Sequence, residues 1–227
     1  MWLLLCSALL VTNPDPATPE QRWQEAFTAR ICALEEKHGI AFDRGWVPQV
    51  TFDIPDHLHP MMRFQYGASY DPLTRGFMVS PFRREVADPR LIDHELGHAL
   101  ADQVSRRIGN GMWPDMKGWE DLSVDDRIGV NIISEGIGNY FGGPDSNAEE
   151  GWLPESSADL TWMVRDFIYH GGHWLVEPII KRYGERGIAY LVTHRFTFSG
   201  GDVRTPAKEY QRKALEELSR SAVTGSQ

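Results

Sequence analysis

Apolar positions recur at helical spacing from residue 18 to residue 39, with Trp23, Phe27, Ile31 and the thiol of Cys32 within one pattern. Thr18 reads as an N-cap, Pro19 as the first helical position and Gln21 as the partner that completes a capping box, with Gly39 as the stop. From Trp46 to Ser80 the texture changes to short extended runs broken by prolines and glycines. Residues 50–54 alternate as a strand should. Residues 67–70 and 76–80 flank a turn at 71–75 and predict a hairpin. Asp88 followed by Pro89 opens a helix that runs to about Ile108, and a loop rich in Gly, Trp and Pro fills 109–122. Ser123 with Asp126 opens the next helix, which stops at Gly142 and Gly143. Further helices are predicted over 156–169, over 174–183 and after Thr205 and Pro206. Strands first and helices afterwards predict an α+β fold, with a small mixed sheet ahead of a mainly helical C-terminal part.

Composition narrows the function classes. A chain of 227 residues with 41% hydrophobic content buries a real core in one domain. A formal charge of −9 argues against a broad nucleic-acid or anionic-membrane surface, and basic pairs such as Arg83–Arg84 and Arg106–Arg107 read as solvated faces. Two cysteines, Cys6 and Cys32, rule out a disulfide framework or a cysteine-rich zinc knuckle. Residues 1–11 form an apolar run of signal-peptide length, too short to span a bilayer, and a Pro-rich stretch follows it. The predicted organisation is therefore a leader and linker over 1–17, read as a signal or anchor, and a single domain over 18–227. That leader leans the reading towards export or the cell envelope. The alternative is a cytoplasmic protein whose N-terminal segment packs on the domain.

The chemistry lies in residues 91–100, Leu-Ile-Asp-His-Glu-Leu-Gly-His-Ala-Leu. Residues four apart lie one above the other on a helix, so His94 and His98 direct their imidazoles at one ion. A catalytic zinc takes three protein ligands and leaves one position for water. Glu95 sits about 100° around the helix from His94, off the ligand line but placed to hydrogen-bond that water. Leu91, Leu96, Ala99, Leu100 and Val104 supply a core-facing side, and Gly97 leaves room for a neighbour. A surface helix with three polar residues would be the plain explanation, yet this apolar setting makes such groups costly to bury without a purpose.

The third ligand is sought downstream. Asn131, Glu135 and Asn139 recur at four-residue spacing in an otherwise apolar helix, and a lone buried carboxylate is expensive unless paired or metal-bound. Glu135 is the predicted third ligand, and Asn139, one turn on, the predicted partner of a ligating histidine. Gly136 and Gly138 are read as permitting close approach to the histidine helix. Asp125, Asp126, Glu149 and Glu150 sit in polar company and read as solvated, as do His57 and His59 in their Pro-rich loop.

His94-Glu95-x-x-His98 followed by Ser134-Glu135-Gly136-x-x-Asn139-Tyr140-Phe141 resembles the gluzincin metallopeptidases, which use two histidines and a distant helical glutamate. The stretch from Tyr169 through His170, Gly171, Gly172 and His173 to Tyr183-Gly184 is similar to the aminopeptidase N group, whose tyrosine hydrogen-bonds the tetrahedral intermediate. The resemblance implies a zincin-like fold, a Zn2+ cofactor, a peptide or protein substrate and the oxyanion role for Tyr169, or failing it His170 or His173. Tyr169 as a core aromatic ending its helix is the competing reading. The Gly-x-Met-Glu-Asn exopeptidase signature is missing, with Gly67-Ala68-Ser69-Tyr70 in that general region, so an endopeptidase is the nearer likeness.

The expected activity is hydrolysis of peptide bonds by a water that zinc acidifies and Glu95 deprotonates. Residues 76–80 are considered as an edge strand to which a peptide substrate adds, against the simpler reading of an internal strand. Two other classes remain: a zinc hydrolase of non-peptide amides or esters, and a metallopeptidase-like binding module that keeps its ligands for stability. Retention of Glu95 speaks against the module, since a structural site needs no base.

Overall fold

The structure is a computed structural model, which describes residues 17–53, 67–109, 121–143, 168, 171–198 and 202–224. The described residues form an α+β fold with six α-helices and a three-stranded mixed sheet. No helix among them is long and apolar enough to cross a membrane. Residues 1–16 of the predicted leader, nearly all of the helix over 156–169 and most of the loop over 109–122 lie outside the described residues. The chain divides into two compact units at Ile92 and Asp93.

The first unit opens with α1, Pro19–His38. The Thr18 hydroxyl accepts from Gln21 N at 3.2 Å and the Gln21 side chain accepts from Thr18 N at 2.8 Å, so two of the helix's orphan donors are satisfied reciprocally. Gly39, at φ 65°, ends α1 in the left-handed conformation that glycine adopts without strain. Strands β1 (Val50–Thr51), β2 (Ala68–Asp71) and β3 (Gly76–Val79) pair in the order β1-β3-β2. β2 and β3 are the expected antiparallel hairpin, with Ala68 opposite Val79 and Asp71 opposite Gly76. The Asp71 carboxylate closes the turn by accepting from Leu73 N and the Thr74 hydroxyl. β1 is shorter than residues 50–54, since Phe52 and Asp53 lie outside it and Asp53 N donates to the Thr51 hydroxyl.

The edge-strand reading of residues 76–80 is corrected by this topology. β3 is the central strand, parallel to β1 on one side and antiparallel to β2 on the other, so its backbone groups are already engaged. Its Phe77 is buried and stacks on Phe27 of α1 at a centroid distance of 4.0 Å.

Helix α2, Pro89–Arg107, crosses the division between the units. The Asp88 carboxylate accepts from Arg90 N at its start. The second unit continues with α3 (Val124–Gly142), α4 (Gly172–Tyr183), α5 (Glu185–Thr193) and α6 (Arg204–Thr224). The Ser123 hydroxyl caps α3 by accepting from Asp126 N. Helix α5 was not among the helices expected from the sequence. Gly187 is there for packing: a Cβ on it would stand 2.7 Å from Ile179 O of α4. The core of this unit is Leu96, Ala99 and Leu100 of α2, Ile132 and Ile137 of α3, and Leu175, Val176 and Ile179 of α4, all buried.

Two glycine pairs set the helix spacing in this core. A Cβ on Gly97 would lie 3.0 Å from Gly138 Cα, which brings the backbones of α2 and α3 together. Gly136 faces the other way: a Cβ there would stand 2.4 Å from Gly172 O of α4. The expectation that both Gly136 and Gly138 serve the histidine helix therefore holds for Gly138 alone. The two are separated by about 200° around α3, so one residue type opens two different faces.

Candidate metal centre

The close approach at Gly97 and Gly138 lets side chains of α2 and α3 meet. His94 Nε2 lies 3.2 Å from Glu135 Oε2 and 3.1 Å from His98 Nε2, and His98 Nε2 lies 3.6 Å from the same carboxylate oxygen. Among the described residues these three are a group that can offer one ligand atom each to a common ion. The two imidazoles are nearly perpendicular, at 79°, with centroids 4.8 Å apart. The i, i+4 spacing on α2 therefore aims two ring nitrogens at one point, and α3 brings the carboxylate to it.

The far nitrogen of each ring is also held. His94 Nδ1 lies 3.1 Å from Asn139 Oδ1, and His98 Nδ1 lies 3.1 Å from the Ser134 hydroxyl. A carboxamide oxygen only accepts, so His94 Nδ1 carries the N–H and donates it to Asn139. That choice puts the lone pair of neutral His94 on Nε2, towards Glu135 and His98. Asn139 stands where the four-residue stripe placed it. Ser134 is the residue the sequence reading missed in this site. Its signal was its place directly before Glu135 in an apolar run, and it is 1% exposed.

Electrostatics reinforce the arrangement. Burial pushes the Glu135 carboxyl up, but the charge of His98 and the hydrogen bonds of both imidazoles outweigh that, holding it well below the usual carboxylate range. Burial pushes His98 down, and the charge and hydrogen bond of Glu135, with the charge of Glu95, more than reverse it. The site is thus a carboxylate held ionised beside two imidazoles, with His98 raised above its ordinary value.

Glu95 is 4% exposed and stands outside the converging group, near enough for its charge to act on His98. His173, in the first turn of α4, is buried, pairs with Glu177 at 3.6 Å and lies against Tyr140 with centroids 6.3 Å apart. Burial and the Glu177 charge push the Tyr140 hydroxyl above its ordinary value. Asp126 is engaged with Ser123 at the start of α3, away from the convergence at Glu135. Tyr169, His170, His57, His59, Glu149 and Glu150 lie outside the described residues. Comparison with protein-family models, with curated proteins and with solved structures finds no match to the chain.

Proposed function

We propose that the chain is a zinc-dependent metallopeptidase of zincin-like fold, in which His94, His98 and Glu135 hold the ion and Glu95 is the general base. The observation that carries this reading is the spacing of the three ligand atoms. Corners of a tetrahedron with bonds of about 2.0–2.1 Å stand about 3.3–3.4 Å apart. The separations of 3.1, 3.2 and 3.6 Å bracket that value. The hydrogen bonding supports it as well. With the His94 proton on Nδ1, its Nε2 lone pair aims at the same point as the Glu135 oxygen: a cation there would satisfy both, whereas without one the ring must take a second proton to hydrogen-bond the carboxylate.

Bound there, zinc supplies a water acidified towards neutral pH and a Lewis acid for the scissile carbonyl. The chain's own part begins with Glu95. Its carboxylate projects about 100° around α2 from His94, takes the attacking water's proton and returns it to the leaving amine. Asn139 keeps the His94 imidazole in the tautomer that leaves Nε2 free for the ion, and Ser134 holds the orientation of the His98 ring. Cleavage within a chain is favoured over removal of terminal residues, because the sequence has no Gly-x-Met-Glu-Asn element to bind a free amine.

The test pairs metal analysis of the full chain with casein and peptide-library cleavage, each with and without chelator. About one zinc per chain and chelator-sensitive cleavage are expected, and Glu95→Gln should keep the zinc while losing activity by about 10²–10⁴-fold. Undiminished cleavage by that variant would remove the mechanism. Zinc with ester or non-peptide amide hydrolysis alone would move the substrate class, and zinc with neither activity would leave a binding module.

A further inference from the structure

Helix α4 contains a proline, Pro178, at the seventh of its 12 residues. Proline has no N–H, so the carbonyl of Trp174, four residues earlier, loses its helical donor. A carbonyl left so in a packed helix is costly unless another group takes it over. Gln211 of α6 does this: its Nε2 donates to Trp174 O at 2.9 Å and also reaches Leu175 O at 3.2 Å.

The turn that Gln211 secures is also the one that bears on the metal centre. Gly172, at the start of α4, lies in backbone contact with α3, where a Cβ on Gly172 would stand 2.4 Å from Ile132 O and 3.0 Å from Gly136 Cα. Ile132 and Gly136 flank Glu135 on α3. Leu175, Val176 and Ile179 are buried, so α4 has little room to slide without moving α3. Tyr183 adds a second tie at the other end of α4, donating its hydroxyl to Leu215 O of α6.

We infer that Gln211 is a positioning residue for the metal centre: by taking the Trp174 carbonyl that Pro178 leaves without a donor, it fixes the first turn of α4 against α3 and so fixes the Glu135 carboxylate. The C-terminal helix is then part of what holds the ion. This rests on the metal-holding reading above. A variant at position 178 separates the two, because alanine there restores an N–H and removes the need for Gln211.

The experiment titrates Co(II) alone into the full-length protein, following its visible absorption and measuring affinity by chelator competition, with thermal unfolding alongside. Gln211→Leu is expected to weaken Co(II) binding about tenfold and to alter the spectrum, and Gln211→Lys, which keeps a donor, to recover most of the loss. In a Pro178→Ala background, Gln211→Leu should leave affinity unchanged. Equal affinity and spectrum in wild type and Gln211→Leu, with only the unfolding temperature lowered, would overturn the inference. So would an equal loss in both backgrounds. Should Gln211→Leu not fold, a folded Pro178→Ala, Gln211→Leu double variant with the Co(II) affinity of Pro178→Ala supports it, and an unfolded or weakened double variant overturns it. Failure of the wild type to take up cobalt would instead refute the metal centre itself, and the inference with it.

Discussion

Gly138 lies directly beneath the His94 imidazole, so that a Cβ built on it would stand 2.7 Å from His94 Cε1 and 2.8 Å from His94 Nε2. It would also stand 2.9 Å from His98 Nε2. The glycine is there for the rings that converge over it, as well as for the backbone of α2.

Gly138→Ala is therefore expected to damage the metal centre more than the fold. Alanine gains up to about 1 kcal/mol of helix propensity over glycine, while overpacking costs about 1–3 kcal/mol. The net stability change is small. The rings cannot simply swing aside, because Asn139 and Ser134 hold their far nitrogens. Zinc affinity should fall at least about tenfold, with little change in the unfolding temperature. An unaltered affinity would show that the rings converge elsewhere in solution.

Helix starts were the most legible part of the chain, since capping chemistry is completed within three residues. Thr18 with Gln21, Asp88 with Arg90, and Ser123 with Asp126 each close in the structure. The convergence of His94, His98 and Glu135 was legible too, since each fell on a helical stripe of period close to four. What stayed hidden depended on distant partners. The central position of β3 is created by parallel pairing with β1, which no local pattern encodes. The face that Gly136 opens is decided by Gly172, and the packing need met by Gly187 by the nearness of Ile179 O. Ser134 reads as a neutral helix residue until His98 is placed opposite it.

Glu135→Gln tests the carboxylate separately from its shape. The amide fills the same volume but brings no charge, and its oxygen is a poor zinc ligand. Zinc affinity should drop by at least about a hundredfold, beyond the range typical of groups that only support a ligand. Isothermal titration into chelator-treated protein checks this. Retention of wild-type affinity would take Glu135 out of the ligand set.

The two supporting residues should differ in what their conservative variants restore. Asn139→Leu and Ser134→Ala are each expected to weaken zinc binding by about 10–100-fold. Asn139→Asp keeps an acceptor for His94 Nδ1 and should recover much of the loss, and Ser134→Thr should do the same for His98. Nitrogen-15 chemical shifts of the two imidazoles report the tautomers directly. A wild-type Nε2–H form at His94 would contradict the donor assignment to Asn139.

A last prediction concerns the start of α6, the helix that carries Gln211. Asp202 Oδ1 accepts from Thr205 N at 3.1 Å. Hydrogen bonds from the Thr205 side chain and backbone, together with Arg204, hold the Asp202 carboxyl below its ordinary value of 3.8. A group whose folded value is depressed contributes stability that is complete above its unfolded value and is lost as pH falls through the folded one. The contribution of Asp202 should therefore be constant near neutral pH and disappear progressively below about pH 3.8. Asp202→Ala should lower stability at neutral pH, and the gap from wild type should close on acidification. Asp202→Asn, an equally good cap without a charge, should preserve stability and flatten this part of the acid dependence. Denaturant unfolding of the three proteins across that range measures it, and a gap between wild type and Asp202→Ala that persists undiminished in acid would show that the cap does not work through the carboxylate.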